Sequence, residues 1–208
     1  MFANSMRRLL TTATLLLAGV AALAGQASEL SGDPLTNEGV VRASALVDSV
    51  FIDRLIPRAT AGAGDFASHL MARLGVVPIP ADLRFRVMAD SQRILLRGRS
   101  MDIPAAARAE LGGFLQMVPP ASVIEAEVTL LPVGLRGVRF HLRTVYIDGV
   151  PVPDFILQGV MTEVGRRYPA LTSTGRDLVV QIPERARIIL TPAGVELLGA
   201  PAPVTSGP

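Results

Sequence analysis

Side chains that catalyse reactions or bind metals are scarce in this 208-residue chain, which has no cysteine and only two histidines, His69 and His141. A zinc site takes three or four ligands, mostly Cys and His, and two separated histidines do not supply them. A cysteine nucleophile is excluded, and no G-x-S-x-G sequence marks a serine nucleophile. Because the chain also lacks lysine, it has no phosphate-binding P-loop. The sequence therefore predicts no catalytic residues, no metal and no cofactor.

Two polar patterns on predicted strands allow a second interpretation. Glu125 and Glu127 alternate with apolar residues and so share one strand face. A carboxylate pair is the catalytic unit of glycoside hydrolases, but charges at alternate positions are also typical of a solvated face, which we favour. His141, between Arg139 and Arg143, is interpreted in the same way. A hydrolase with an unrecognised site stays the least favoured hypothesis.

The apolar content is the most informative feature of the composition. Half of the residues are hydrophobic, whereas aromatic residues make up only 4%. This aliphatic surplus fits either an ordinary core or an apolar groove that holds acyl chains, since burial of aliphatic surface is non-directional. Four arginines on predicted strands either solubilise the sheet or bind anionic head groups, because the guanidinium fork matches phosphate. These head-group candidates are Arg84, Arg86, Arg139 and Arg143.

The N-terminus has the pattern of a secretory signal. Arg7 and Arg8 precede an uncharged apolar run, and Ala22 and Ala24 fit the small-residue rule for cleavage. We predict a signal peptide over residues 1–24, with cleavage before Ser28 as the second choice and an uncleaved anchor as the alternative. The predicted location is therefore the periplasm or the cell exterior.

The charge of the processed chain argues against nucleic-acid binding. All 20 basic residues are arginine, and 18 residues are acidic. Removal of Arg7 and Arg8 with the signal leaves equal numbers of the two signs. Nucleic-acid binding needs a net basic surface, so no nucleic acid is expected as a partner.

Apolar periodicity predicts several helices along the chain. The first begins at a cap on Thr36 or Asn37 and runs to about Ile56. A short one, capped by Asp65, runs to Leu74 and is preceded by a loop over residues 58–64. Two further helices are predicted over 104–117 and from Asp154 to Tyr168.

Alternating segments between these helices predict hairpins with one apolar and one arginine-bearing face. The segments are Leu83–Ala89 with Arg93–Ser100, 122–132 with 134–148, and 177–183 with 186–199. Asp148-Gly149 is a hairpin turn signal. Strands with one apolar and one solvated face form antiparallel sheets, so we predict an α+β fold with an antiparallel sheet whose apolar face is covered by helices. The predicted organisation is a flexible lead over 25–36, a single domain over 37–199 and a disordered tail over 200–208.

Residues 135–198 contain "YIDGVPVP", then "DFILQGVMTEV", "LVVQIP" and "RIILTPAGVEL". This order resembles the bacterial periplasmic LmeA-like phospholipid-binding proteins of the tubular lipid-binding (TULIP) superfamily. The resemblance implies that an N-terminal helix packs in a strongly bent antiparallel sheet with lipid in the seam, and the helix at 37–56 would be its counterpart. No ligand residue is carried over.

The leading hypothesis is an exported, non-enzymatic lipid- or hydrophobe-binding protein of the bacterial cell envelope. Acyl chains would lie between the sheet and the helices at 37–56 and 154–168, lined by Val47, Val50, Phe155, Ile156, Val160 and Met161. The expected partner is a phospholipid or another amphiphile, with transient contact to a membrane surface. The alternative is an envelope scaffold or assembly factor whose groove accepts a partner protein.

Overall fold

The strands of this protein form two antiparallel sheets in an α+β structure. The computed structural model describes residues 30–105, 108, 113–167 and 175–200. The described residues from Ser31 onward belong to one compact unit. The predicted signal peptide over 1–24 and all of the predicted tail except Ala200 lie outside the described residues.

The larger sheet has seven strands, with β5 and β6 at its centre. They are β1 (Asp33–Pro34), β3 (Arg86–Ala89), β4 (Arg93–Arg99), β5 (Val123–Val133), β6 (Gly137–Ile147), β7 (Val150–Pro151) and β8 (Asp177–Gln181). Their order is β1-β3-β4-β5-β6-β7, and β8 also pairs with β6. The smaller sheet has the order β2-β10-β9, from β2 (Arg58–Ala61), β9 (Arg187–Thr191) and β10 (Gly194–Leu198).

Pairing in the larger sheet separates an apolar face from a polar face, as predicted. The register aligns Ile94, Val128 and Leu142 across three strands, and aligns Arg93, Thr129 and His141 beside them on the opposite face. The register shifts between Glu127 and Val128. Such bulges bend a strand and increase its twist, which is consistent with the expectation of a bent sheet.

The helices are α1 (Asn37–Val47), which continues as a π-helical turn over Asp48–Ile52, α2 (Ala63–Arg73), α3 (Gly113–Gln116) and α4 (Asp154–Arg167). Thr36 caps α1 as predicted, because its Oγ1 accepts a hydrogen bond of 2.9 Å from the backbone N–H of Gly39. The prediction that Asp65 caps the second helix is wrong. Helix α2 begins two residues earlier, and the Asp65 carboxylate binds Arg42 instead, at 2.7 Å.

One predicted loop and one predicted hairpin are wrong, because strands in these segments pair with strands that lie far away in the chain. The segment predicted as a loop over 58–64 contains β2, which pairs with β10. Residues 177–183 and 186–199 do not form one hairpin, since β8 joins β6 whereas β9 and β10 form a hairpin in the smaller sheet. Short-range signals do not reveal such long-range pairings.

One hydrophobic cluster joins the two sheets and the first two helices. Val50 of the π-helical turn, Phe66 of α2 and Leu197 of β10 are each at most 2% exposed within it. The ring of Phe66 lies 6.0 Å from that of Phe140 on β6, centroid to centroid. The smaller sheet, α1 and α2 therefore cover the apolar face of the larger sheet.

Part of the predicted flexible lead is ordered against the domain. Leu35, in the predicted flexible lead, is buried in the main cluster, and Asp33–Pro34 pair with β3.

Within the helix predicted over 104–117, residues 106, 107 and 109–112 lie outside the described residues, while Gly113–Gln116 are helical. The Asp148-Gly149 turn is present, with positive φ at both residues and Ile147 paired to Val150, as a type I′ hairpin requires.

Candidate ligand-binding cleft

The space predicted to hold acyl chains, between the sheet and its helices, is small. A hollow of about 180 Å³ separates Leu70 and Met71 of α2 from Ile94 and Leu142 of the sheet. Its lining is aliphatic or aromatic except for Arg176. Ligand pockets usually measure about 300–1,000 Å³, so this hollow is too small for a whole acyl chain.

The six predicted lining residues do not surround one space. Met161 lines the small hollow, and Val47 lines a different one, of about 240 Å³, beside His69. Val50 is 1% exposed in the core, whereas Phe155 is 75% exposed to solvent. The remaining two, Ile156 and Val160, are half-buried on α4.

A larger cleft of about 850 Å³ lies where the end of the β5–β6 hairpin faces the smaller sheet. We call this hollow the hairpin cleft. Its walls are mainly aliphatic, and they come from both sheets and from the segment that links them. The apolar wall residues include Leu130, Leu131, Leu135, Ile182, Ile188 and Leu198.

Local backbone chemistry holds the two walls of the hairpin cleft together. Gly134 has φ of 60°, which lets a short turn close the hairpin before β6 begins. The Arg136 carbonyl accepts a hydrogen bond of 2.9 Å from the backbone N–H of Ile182. The Arg136 guanidinium also lies 2.8 Å from the Glu184 carboxylate, and this bond lowers the pKa of Glu184. The hairpin end is therefore tied to the opposite wall.

Large apolar side chains remain exposed at this cleft. Leu135 is 74% exposed, and Leu131 and Ile189 are 43% and 39% exposed. Arg185 and Arg187 also line the cleft and are exposed. An open apolar trough with cationic side chains is thus the main surface feature of this end of the protein.

A second hollow, of about 610 Å³, adjoins the hairpin cleft. The two share Leu130, Leu131, Ile188 and Ile189 in their linings. The polar residues that line the second hollow all carry hydrogen-bond donors, and no carboxylate is among them. These donors are Ser91, Gln92, Thr129, His141 and Arg143. We call this space the donor hollow.

Ion pairs behind the donor hollow show that Glu127 and His141 are not freely solvated, contrary to their interpretation from the sequence. Glu127 is only 4% exposed, because Arg93 at 3.2 Å and Arg143 at 3.4 Å cover its carboxylate. His141 is not a freely solvated strand residue, since its Nδ1 lies 2.7 Å from Oδ1 of the buried Asp177. A polar sheet face can thus hide carboxylates beneath arginines.

The four predicted head-group arginines are separated in the structure. Arg143 lines the donor hollow, whereas Arg139 lies 3.5 Å from the Asp177 carboxylate. Arg84 and Arg86 lie beside or on β3, and neither is among the residues that line the hollows described above.

None of the residues that line the hairpin cleft is among the predicted site residues, and Leu135, Arg185 and Arg187 are examples. Leu135 was assigned to the strand predicted over 134–148, whereas in the structure β6 begins only at Gly137 and Leu135 lies in the turn before it. Asp177 was assigned to a strand, but its partner lies 36 positions earlier in the chain. Only the pairing of β8 with β6 brings the two together.

The remaining histidine lies at a separate position. His69 Nδ1 lies 2.9 Å from Ser44 Oγ in the hollow beside Val47. Burial, together with the charge of Arg73, lowers the pKa of His69.

In the described part of the chain, no three His, Cys, Asp or Glu residues are grouped as metal ligands. Among those same residues, no helix has the length and apolarity needed to cross a membrane.

Comparison with known proteins gives no relative. No protein-family model, curated protein or solved structure matches the chain.

Proposed function

We propose that this chain is an exported, non-enzymatic protein of the bacterial cell envelope that binds a lipid or another amphiphile. The aliphatic part of the ligand lies in the hairpin cleft, and its polar head lies in the donor hollow. One observation carries the proposal: an open cleft of about 850 Å³ with aliphatic walls adjoins a hollow whose polar lining contains the cationic Arg143 and no carboxylate.

The hairpin cleft has the size and chemistry that suit an acyl chain. Its volume falls in the range of ordinary ligand pockets. Each Å² of apolar surface removed from water contributes about 25 cal/mol, so a chain that covers Leu131, Leu135 and Ile189 is stabilised without a directional contact. This position differs from the predicted one between the sheet and the helices, where the hollow is about 180 Å³.

The donor hollow favours a head group rich in acceptors, such as a phosphate or a carboxylate. Arg143 is 67% exposed at its side chain, and its partner Glu127 is shared with Arg93. Guanidinium groups form strong bonds to phosphate oxygens. Thr129 and His141 are direct neighbours across the β5–β6 pair, which puts their polar groups on the same side of the site.

A second candidate is the predicted scaffold or assembly role, and the edge of the smaller sheet favours it. Strand β9 lies at that edge and contributes Arg187, Ile188 and Ile189 to the cleft. An extended segment of a partner protein could pair with such an edge by strand addition. This candidate requires a bound polypeptide in place of an amphiphile.

The deciding experiment is extraction of the full chain, purified without detergent from the envelope fraction, followed by mass spectrometry of the organic phase. We expect an amphiphile that co-purifies in stoichiometric amount. A chain that carries a protein segment and no amphiphile would support the second candidate and overturn the first.

A matched pair of double variants locates the site. Leu131→Gln with Ile189→Gln adds polar groups to the cleft wall, whereas Val77→Gln with Val150→Gln changes two exposed valines elsewhere, which are 63% and 66% exposed. We expect the first pair, and not the second, to weaken binding of an anthroyloxy-labelled stearate about tenfold or more, as the loss of two apolar contacts predicts. Equal binding by both pairs would exclude the hairpin cleft as the site.

A further inference from the structure

The turn at the end of the β5–β6 hairpin presents an unusual combination of side chains. Leu135 projects from the turn and is 74% exposed. It lines the mouth of the hairpin cleft together with Arg185 and Arg187. Single exposed apolar side chains are common on protein surfaces, so Leu135 is informative through its position beside these two arginines and not through its exposure alone.

The charges around this mouth have an excess of one sign. Arg136, Arg185 and Arg187 are all exposed, and Glu184 is the one acidic residue between 182 and 187. The Glu184 carboxylate is bonded to Arg136. Within the described residues, Arg185 and Arg187 have no carboxylate at ion-pair distance, although Arg185 does feel the charge of Glu184. The rim thus has a net positive charge next to an exposed leucine.

We propose that this end of the protein, with Leu135 at its tip and Arg185 and Arg187 on its rim, docks on the surface of an anionic lipid bilayer. Leu135 enters the boundary between head groups and acyl chains, and the two arginines bind lipid phosphates. Apolar tips flanked by cationic side chains associate with anionic interfaces by these two contributions. The charge complementarity favours a bilayer over a protein segment, because phosphates repeat across the whole surface.

The docking surface is already formed in the protein. The bond from the Ile182 N–H to the Arg136 carbonyl, at 2.9 Å, anchors the turn, and the Arg136–Glu184 pair adds to it. Leu135 is 74% exposed and Arg187 is also exposed, so both side chains are accessible to a membrane surface. Docking therefore needs no rearrangement of the hairpin.

The docked orientation also sets where the head and tail of a bound lipid would lie, an inference that rests on the proposed function. The donor hollow lies farther from the turn than the cleft mouth, since four residues separate the Thr129–His141 pair from the Val133–Gly137 pair. At about 3.3 Å per residue this is roughly 13 Å. A lipid that leaves the leaflet head first would bring its head to the donor hollow and leave its tail in the cleft.

A single tryptophan reports directly on docking, because the natural chain contains none. In Leu135→Trp the indole replaces the tip residue, and in Phe155→Trp it replaces a 75% exposed residue of α4. We expect vesicles of phosphatidylglycerol and phosphatidylcholine to shift the emission of L135W to the blue and to leave F155W unchanged. Brominated acyl chains should quench only L135W. A lipid molecule bound in the hairpin cleft would also cover residue 135, so docking additionally requires that L135W co-sediment with the vesicles.

Arginine substitutions test the electrostatic half of the proposal in the L135W background. Each cationic side chain near an anionic surface contributes roughly a fivefold increase in partitioning. Arg185→Gln with Arg187→Gln should therefore raise the lipid concentration needed for half of the shift about 25-fold. The control pair Arg54→Gln with Arg84→Gln removes the same charge from exposed positions outside the cleft, and Arg54, like Arg185, has positive φ.

Three results would overturn the docking proposal: no shift in L135W, an equal shift in F155W, or an equal effect of the two arginine pairs. Pure phosphatidylcholine that acts as well as the anionic mixture would also refute it. These outcomes are separate from amphiphile retention. A chain that docks but carries no extractable amphiphile refutes only the proposed function, and one that carries amphiphile without docking refutes only this inference.

Discussion

The Nδ1 atom of His141 lies 2.7 Å from Oδ1 of Asp177, across the antiparallel pair of β6 and β8. Asp177 is 5% exposed, whereas the His141 side chain is 34% exposed. The buried carboxylate thus holds the imidazole at the edge of the donor hollow. Its second oxygen lies 3.5 Å from Arg139.

Asp177 should therefore contribute more to stability than an exposed aspartate with a similar partner. We expect Asp177→Asn to lower the free energy of unfolding by about 1–2 kcal/mol, because a charged hydrogen bond at a buried acceptor is lost. The expected loss is no larger because both partners of Asp177 are partly exposed to solvent. Asp154→Asn removes an ion pair to Arg176 whose carboxylate side chain is 78% exposed. This substitution should change the free energy of unfolding by about 0.5 kcal/mol or less. Urea denaturation measures both, and equal effects would contradict the role of burial.

His69 should make stability depend on pH. Burial lowers its pKa in the folded protein below the ordinary value of 6.5, so the unfolded chain binds a proton more readily than the folded one. Stability from this group is then complete above 6.5 and is lost as pH falls toward the folded-state pKa.

A comparison of the wild type with His69→Gln isolates that group, because other titrating residues contribute equally to both. We expect the urea midpoint of the wild type to fall more steeply than that of H69Q between neutral and mildly acidic pH. Parallel pH profiles would show that burial does not disfavour the imidazolium.

The 180 Å³ hollow should behave as an internal void. Ala67 of α2 lines it and is 7% exposed, whereas Ala43 of α1 is fully buried and lines none of the hollows described above. We expect Ala67→Leu to raise the free energy of unfolding by about 1 kcal/mol, since the new side chain fills existing space. Ala43→Leu should lower it by about 1–3 kcal/mol through overpacking.

Amphiphile retention provides the functional readout for the same pair of variants. A67L should retain as much co-purifying amphiphile as the wild type, because the proposed ligand site is the hairpin cleft. Loss of amphiphile in A67L alone would move the binding site back to the space between the sheet and α2.

Glycine positions test how tightly β4 packs. A Cβ atom at Gly98 would lie 2.3 Å from Cδ1 of Phe85, whereas one at Gly159 of α4 would meet nothing within 4 Å. Gly98→Ala should destabilise the protein by about 1–3 kcal/mol, because the half-buried ring must move. Gly159→Ala should stabilise it by about 0.5–1 kcal/mol through helix propensity. Thermal unfolding of the two variants should therefore shift in opposite directions.

Local chemistry made several elements predictable. The Thr36 cap, the Asp148-Gly149 turn and the alternation of β4 and β6 depend on residues close together in the chain, and the structure confirms them. The α+β class followed from that alternation. The strand β2 was missed because its pairing with β10 joins residues more than 130 positions apart.

The candidate site was less predictable than the fold. Leu135 and Arg185 carry no periodic signal, since both lie outside the regular elements. Glu127 and His141 looked solvated because alternation reports which face a side chain occupies and not what covers it. Glu127 is covered by Arg93, and His141 is held by Asp177, and both partners come from other strands.

The sequence by itself determined the antiparallel, half-apolar character of the strands and the aliphatic nature of the interior, because these depend on residue type and period. Only the tertiary structure decided that β9 and β10 leave the larger sheet, and that their separation from the β5–β6 hairpin end leaves a cleft of about 850 Å³. The physical reason is that a cleft is set by the packing distance between layers, which depends on many weak contacts between residues remote in the chain.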